Sequence, residues 1–152
     1  MRLTRICYIH FKAFYLITGY SKMMTYHTDG SCNPNPGKGG WCRIRSDWQE
    51  MGGTVAETTN NEMELLAIYN ACLDANPYDK IVTDSLWCMK AISWEWRVKC
   101  HLELLRNVQN RVRLLRIDIS RVKWHWRDKM NIRADKLAKM FANKELEGPL
   151  IK

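Results

Sequence analysis

The sequence has no C-x-x-C pair and no cysteine–histidine spacing of a metal site; its six cysteines (Cys7, Cys32, Cys42, Cys72, Cys88 and Cys100) are scattered. That excludes a zinc module and a disulfide framework, and it reads as reduced core or loop thiols in a cytosol-like compartment. No apolar run is long enough to cross a bilayer. The aromatic-rich stretch within residues 1–22 is interrupted by His10 and Lys12, and it lacks the unbroken core and small-residue cleavage site of a secretory signal. Those residues also contain no acid, only Arg2, Arg5, Lys12 and Lys22 among charged side chains. With Met23 and Met24 just ahead of the first strand pattern, residues 1–22 read as an N-terminal extension, dispensable or disordered. The expected organisation is this extension, one domain over residues 23–146, and a loose tail at 147–152. Repeats, linkers and low-complexity tracts are absent.

What is present is one domain's worth of chain, 152 residues with 46% hydrophobic and 26% charged content, enough for a core without staples. Twenty-four basic residues against 16 acidic give a net charge of +8. Much of the excess lies in residues 97–133, where eleven basic side chains face only Glu103, Asp118 and Asp128. A polyanion is the natural partner for such a region.

The chain is organised around residues 26–41, where a β-favouring run ends on Asp29 and a loop dense in Gly, Pro and Asn follows. Strands are expected at 24–28, 41–45 and 51–55, the latter two joined around Ser46-Asp47-Trp48-Gln49. Thr59-Asn60-Asn61-Glu62 predicts a capping box and a helix running to about residue 75, stopped at Asn76-Pro77. A short buried strand at 80–83 leads to Asp84. Helices follow at 85–92 and 102–115, then a strand marked by Ile117, Ile119, Val122 and Trp124, then a final helix at 132–146. The order βββαβααβα predicts an α/β fold with a five-stranded mixed sheet and helices on its faces.

Lone acids recur at matching places on this scaffold. A right-handed crossover through the capped helix makes the first and fourth strands parallel neighbours, so Asp29 and Asp84 are expected side by side at one sheet edge. Glu64 sits early in the crossover helix in an apolar setting. Asp135 is expected near the start of the last helix, where a carboxylate is favoured by the helix dipole. Like charges so close resist joint ionisation unless cations are present. Two-metal phosphoryl transfer is the chemistry that uses such a cluster.

Thr28-Asp29-Gly30-Ser31-Cys32, Asn60-Asn61-Glu62-Met63-Glu64-Leu65, Thr83-Asp84-Ser85 and Ala134-Asp135-Lys136-Leu137-Ala138 together resemble the type 1 ribonuclease H family, in its order and spacing, over about residues 24–142. The resemblance implies the ribonuclease H-like fold and an endoribonuclease that cuts the RNA strand of RNA–DNA hybrids, leaving 5′-phosphate and 3′-hydroxyl ends. It also implies that Asp29, Glu64, Asp84 and Asp135 hold two Mg²⁺ ions, with Mn²⁺ as a substitute. By the same resemblance, His125 is a loop histidine that assists turnover and product release, and Asn131 is a loop asparagine near it. Cys32, Asn35 and Asn60 are placed to read 2′-hydroxyls in the shallow minor groove, and Thr59 and the basic helix region to hold DNA-strand phosphates. Trp94 and Trp96 either pack on a sugar or belong to the core. The enzyme is expected to be a cytoplasmic monomer.

Three departures from the family pattern stand out: Leu86 where relatives carry a polar residue, a short segment at 94–101 in place of a longer basic protrusion, and Trp124 and Trp126 flanking His125. Another nuclease or a strand-transfer enzyme on this fold is the second reading, opposed by the Asn60-Asn61 pair and the loop at 31–40. A non-catalytic binder is the third, and it would be expected to have lost a carboxylate; all four are present.

Overall fold

β1 (Thr25–Cys32), β2 (Gly37–Arg45) and β3 (Glu50–Thr58) form an antiparallel meander whose connections are the turn-forming sequences Asn33-Pro34-Asn35-Pro36 and Ser46-Asp47-Trp48-Gln49. The computed structural model describes residues 22–122, 128–146 and 150–151. Helix α1 (Asn60–Asp74) carries the chain to β4 (Lys80–Thr83), which lies parallel to β1. Helices α2 (Leu86–Ile92) and α3 (Leu102–Leu115) lead to β5 (Asp118–Arg121), parallel to β4. Helix α4 (Lys129–Ala142) follows, and the chain returns as a two-residue strand, β6 (Leu150–Ile151). The sheet order is β5-β4-β1-β2-β3-β6. The expected mixed sheet is thus present, extended by β6 pairing with Met51 and Gly52 at the β3 edge.

Alternation along the strands divides the core. Tyr26 faces α1 and α3 in a cluster with Leu65, Ile68, Ile81, Leu105 and Val108. On the opposite face Cys42 and Ile44 pack against Ala134, Leu137 and Ala138 of α4. Glycine is required where each helix comes closest. A Cβ at Gly30 would lie 2.2 Å from the Glu64 backbone nitrogen, and one at Gly40 would lie 2.3 Å from the Ala138 carbonyl oxygen. The β1–β4 register is set by Asp79, buried at 2% exposure. Its carboxylate accepts the Met24 N–H at 2.8 Å and the Asn76 N–H at 2.8 Å.

Three element boundaries differ from the sequence expectation, for local reasons. The Gly- and Asn-rich residues after Asp29 form a hairpin instead of a loop, because β2 pairs with β1 as far as Cys32↔Gly39. At α1 only half of the capping box forms: the Thr59 hydroxyl accepts the Glu62 N–H at 3.3 Å, but the Glu62 carboxylate accepts from the Thr58 hydroxyl at 2.8 Å. Helix α4 starts at Lys129 because Asp128 caps it, accepting the Met130 and Asn131 N–H groups at 3.0 and 3.1 Å. The apolar residues Ala134, Leu137, Ala138 and Phe141 mark the buried face of that helix and not its beginning, and Ile132 is exposed.

Candidate active site

Parallel pairing of β1 with β4 ends at Thr28↔Thr83, so the next residue on each strand is an aspartate. The sequence expectation that Asp29 ends its strand is not met: β1 continues in pairing with β2, where Asp29 pairs with Cys42. Only the β4 side opens at this point, and into that opening the Asp29 and Asp84 carboxylates converge. Glu64 comes from the second turn of α1, brought in by the close approach at Gly30. Ligand oxygens of Asp29, Glu64 and Asp84 all lie within 4.8 Å of one another.

This group is poorly compensated. Asp29 is 3% exposed and Glu64 7%. Asp29 Oδ1 accepts the Gly30 N–H at 2.8 Å, while Asp29 Oδ2 and Glu64 Oε2 are buried without a hydrogen-bond donor among the described residues. Burial, followed by the charges of Asp84 and Asp135, pushes the Asp29 carboxyl up to about 8. Burial, then Asp29, Asp84 and Asp135, holds Glu64 well above the usual carboxylate range, against a side-chain hydrogen bond from Asn60. Oxygen-only donors, close together and short of hydrogen-bond partners, fit hard divalent cations such as Mg²⁺ or Mn²⁺.

Asp135 stands apart. It is the seventh residue of α4, beyond the first turn where the helix dipole acts. Its counter-charge is Lys139, one turn along the helix, with Nζ 2.7 Å from Oδ1. The Asp135 carboxylate raises the Lys139 ammonium above its ordinary value. Arg121 donates to the Asp84 carbonyl at 3.0 Å and so anchors the β4 end of the site. Arg133 clamps α4 to β3 through Glu50 at 2.8 Å.

The residues expected to meet substrate fall into two sets. Cys32, Asn35, Thr59 and Asn60 come together where the hairpin turn meets α1. The Asn60 N–H donates to Asn35 Oδ1 at 3.1 Å, and Cys32 Sγ lies 3.1 Å from the Pro34 carbonyl oxygen. Asn131, by contrast, is not on a loop: it lies in the first turn of α4 and is fully buried. The Asp128 cap draws it into the helix. His125 lies outside the described residues. Trp94 and Trp96 are 75% and 46% exposed, so the core alternative for them does not hold.

Three participants had not been singled out in the sequence. Lys139 was legible as a cation four residues after Asp135. His101 carried no signal. It sits in left-handed backbone at φ 54° before α3, with Nε2 3.2 Å from the Thr59 hydroxyl and its ring edge-on to Trp87. His27 Nδ1 lies 3.2 Å from Asp128 Oδ2, joining β1 to the cap of α4, and its burial lowers the imidazole below its usual value.

Comparison with known proteins agrees with this geometry. Residues 21–143 match the family model for RNase H. A ribonuclease H of Maricaulis maris is 35% identical over 137 residues, covering 76% of this chain and 91% of that protein. One from Granulibacter bethesdensis is 36% identical over 138 residues, covering 79% and 92%. Among solved structures, the N-terminal RNase H domain of a Mycobacterium tuberculosis protein, determined as a fusion with maltose-binding protein, has a TM-score of 0.71 at 24% identity. That match covers 82% of this chain and 96% of that one, and it is a likeness of fold.

Proposed function

The chain belongs to the ribonuclease H family, and from that premise we propose that it hydrolyses the RNA strand of RNA–DNA hybrids by a two-metal mechanism, leaving 5′-phosphate and 3′-hydroxyl ends. The observation that carries the reading is the Asp29–Glu64–Asp84 group, two of its members buried, with two oxygens that no donor among the described residues reaches. Asp29, Glu64, Asp84 and Asp135 are the residues that would hold two Mg²⁺ ions, or Mn²⁺ in their place. Ions bound there supply an acidified attacking water and charge neutralisation at the leaving oxygen.

The remaining work falls to the chain's own groups. The Gly30 N–H fixes one Asp29 oxygen and leaves the other turned to the cluster. Asn60 links the carboxylates to the substrate side, through its side chain to Glu64 and its backbone to Asn35. We assign Cys32, Asn35 and Asn60 to the 2′-hydroxyls of the RNA strand and Thr59 to a phosphate of the DNA strand. Exposed basic residues on and before α3, such as Arg97, Lys99, Arg106 and Arg113, supply attraction for the duplex, and exposed Trp94 and Trp96 offer faces for a sugar or base. For His125 we retain assistance to turnover and product release.

We further propose a monomeric, cytoplasmic enzyme with its catalytic domain over residues 23–146, an N-terminal extension at 1–22 that is dispensable, and a tail at 147–152. Among the described residues no helix is long and apolar enough to cross a membrane.

The test is cleavage of four substrates, each with one strand labelled: RNA–DNA hybrid, duplex RNA, duplex DNA and single-stranded RNA, in Mg²⁺ and in EDTA. Metal-dependent cutting confined to the RNA strand of the hybrid is the expected result. Cutting of duplex DNA, or undiminished cutting in EDTA, overturns the proposal.

A further inference from the structure

The four carboxylates are not equally available. Asp29, Glu64 and Asp84 already bring their oxygens within 4.8 Å of one another, and Asp135 is not in that group. Both Asp135 oxygens are engaged by Lys139 Nζ, at 2.7 and 2.8 Å. The ammonium also acts beyond its partner, offsetting the crowded negative charge at Asp29 and sensing that of Asp84. Its side chain is 59% exposed and that of Asp135 42%, and a lysine stem can swing such a head group into water without breaking the packing of the helix.

We propose that Lys139 is an internal counter-ion that competes with the second divalent ion for Asp135. In the metal-free enzyme it occupies the carboxylate that completes the two-ion site. The converging group of three fills first, and the ion that needs Asp135 binds second and more weakly, as Lys139 moves to solvent. Lys139 is therefore a positioning residue that sets the order and spacing of the two affinities. The inference rests on the two-ion reading above.

The experiment is Mn²⁺ binding to the full chain without nucleic acid, followed by calorimetry and by the electron paramagnetic resonance signal of free Mn²⁺. The wild type should show a tighter and a weaker class of site, and D135N should lose the weaker. K139Q should tighten the weaker class by about two- to five-fold, the range set by removing an exposed ion pair, and tighten the tighter class by less. K139R, which keeps the charge, should bind as the wild type does. In hybrid cleavage, the Mg²⁺ concentration for half-maximal rate should fall in K139Q by the same factor. A weaker class unmoved in K139Q, or both classes tightened equally, overturns the inference while leaving the two-ion reading intact. A wild type that takes up no Mn²⁺ overturns the two-ion reading itself, and the inference falls with it.

Discussion

Charge is buried at both ends of α1, and the two ends handle it in opposite ways. Near its C-terminus Arg43 is 1% exposed, but its guanidinium meets Asp74 at 3.2 Å, Gln49 Oε1 at 3.1 Å and the Tyr26 ring at 5.7 Å. Arg45 joins the same group through Asp74 and Asp47 at 3.2 and 2.8 Å. About 15 Å away along the helix, near its N-terminus, Asp29, Glu64 and Asp84 are crowded together with like charges and with two oxygens lacking a donor among the described residues. One end is neutralised by the protein's own side chains. The other leaves its negative charge to be neutralised from outside, and a site that stores electrostatic stress in this way is where chemistry is expected.

Replacing members of each end should separate the two roles. Asp29→Asn should lower hybrid cleavage by about a thousand-fold or more with little change in hybrid affinity, measured by single-turnover cleavage and by binding in Ca²⁺. Retention of full activity would sink the metal-site argument. His125→Ala lies at neither end, and its effect should be intermediate: turnover slowed by about ten- to a hundred-fold with residual cleavage, in multiple-turnover assays. An unchanged rate removes His125 from the site.

Asp74→Ala should do the reverse of Asp29→Asn. It leaves Arg43 buried without its carboxylate, at a cost of about 2 kcal/mol, below the range for fully buried pairs because Asp74 is partly solvated. The urea midpoint should drop while single-turnover cleavage stays near wild type. A loss of activity with no loss of stability would erase the distinction between the ends.

The smallest effect is on the pH dependence of the metal-free protein. The folded chain holds the Asp29 proton until about pH 8, against an ordinary value of 3.8. Its contribution to stability is therefore complete below about pH 4 and is lost as pH rises toward 8; Glu64 acts in the same direction. In EDTA the melting temperature should fall as pH rises from 5 to 8. Mg²⁺ at pH 8 should restore it, and Asp29→Asn should flatten the profile. A pH-independent melting curve in EDTA would contradict the uncompensated character of this end.

Much of this was legible in the residues. The β1–α1–β4 crossover followed from the Thr59 cap and the apolar run after it, and with it the meeting of Asp29 and Asp84. Glu64 was marked by an acid in an apolar helix segment. Other parts carried a misleading signal. Asp128 lies in the most basic stretch of the chain, so its role as a cap was masked, and the start of α4 was displaced to Ile132. That error moved Asp135 toward a helix dipole that does not reach it. Glycine and proline after Asp29 suggested a loop, yet the same residues suit a hairpin that closes around a four-residue turn.

The sequence by itself determined the order of elements as far as α4 and singled out the four carboxylates, because periodicity, caps and acids in apolar settings are local properties. Only the tertiary structure decided that Asp135 stands apart from the other three acids and which of the four is neutralised. Lys139 is one helical turn from Asp135, but its action on Asp29 and Asp84 depends on α4 lying against β1 and β2. Arg43 and Asp29 lie on adjacent antiparallel strands. One finds Asp74 and the other finds like charge, because successive side chains point to opposite faces and what waits on each face is set by the packing of distant segments.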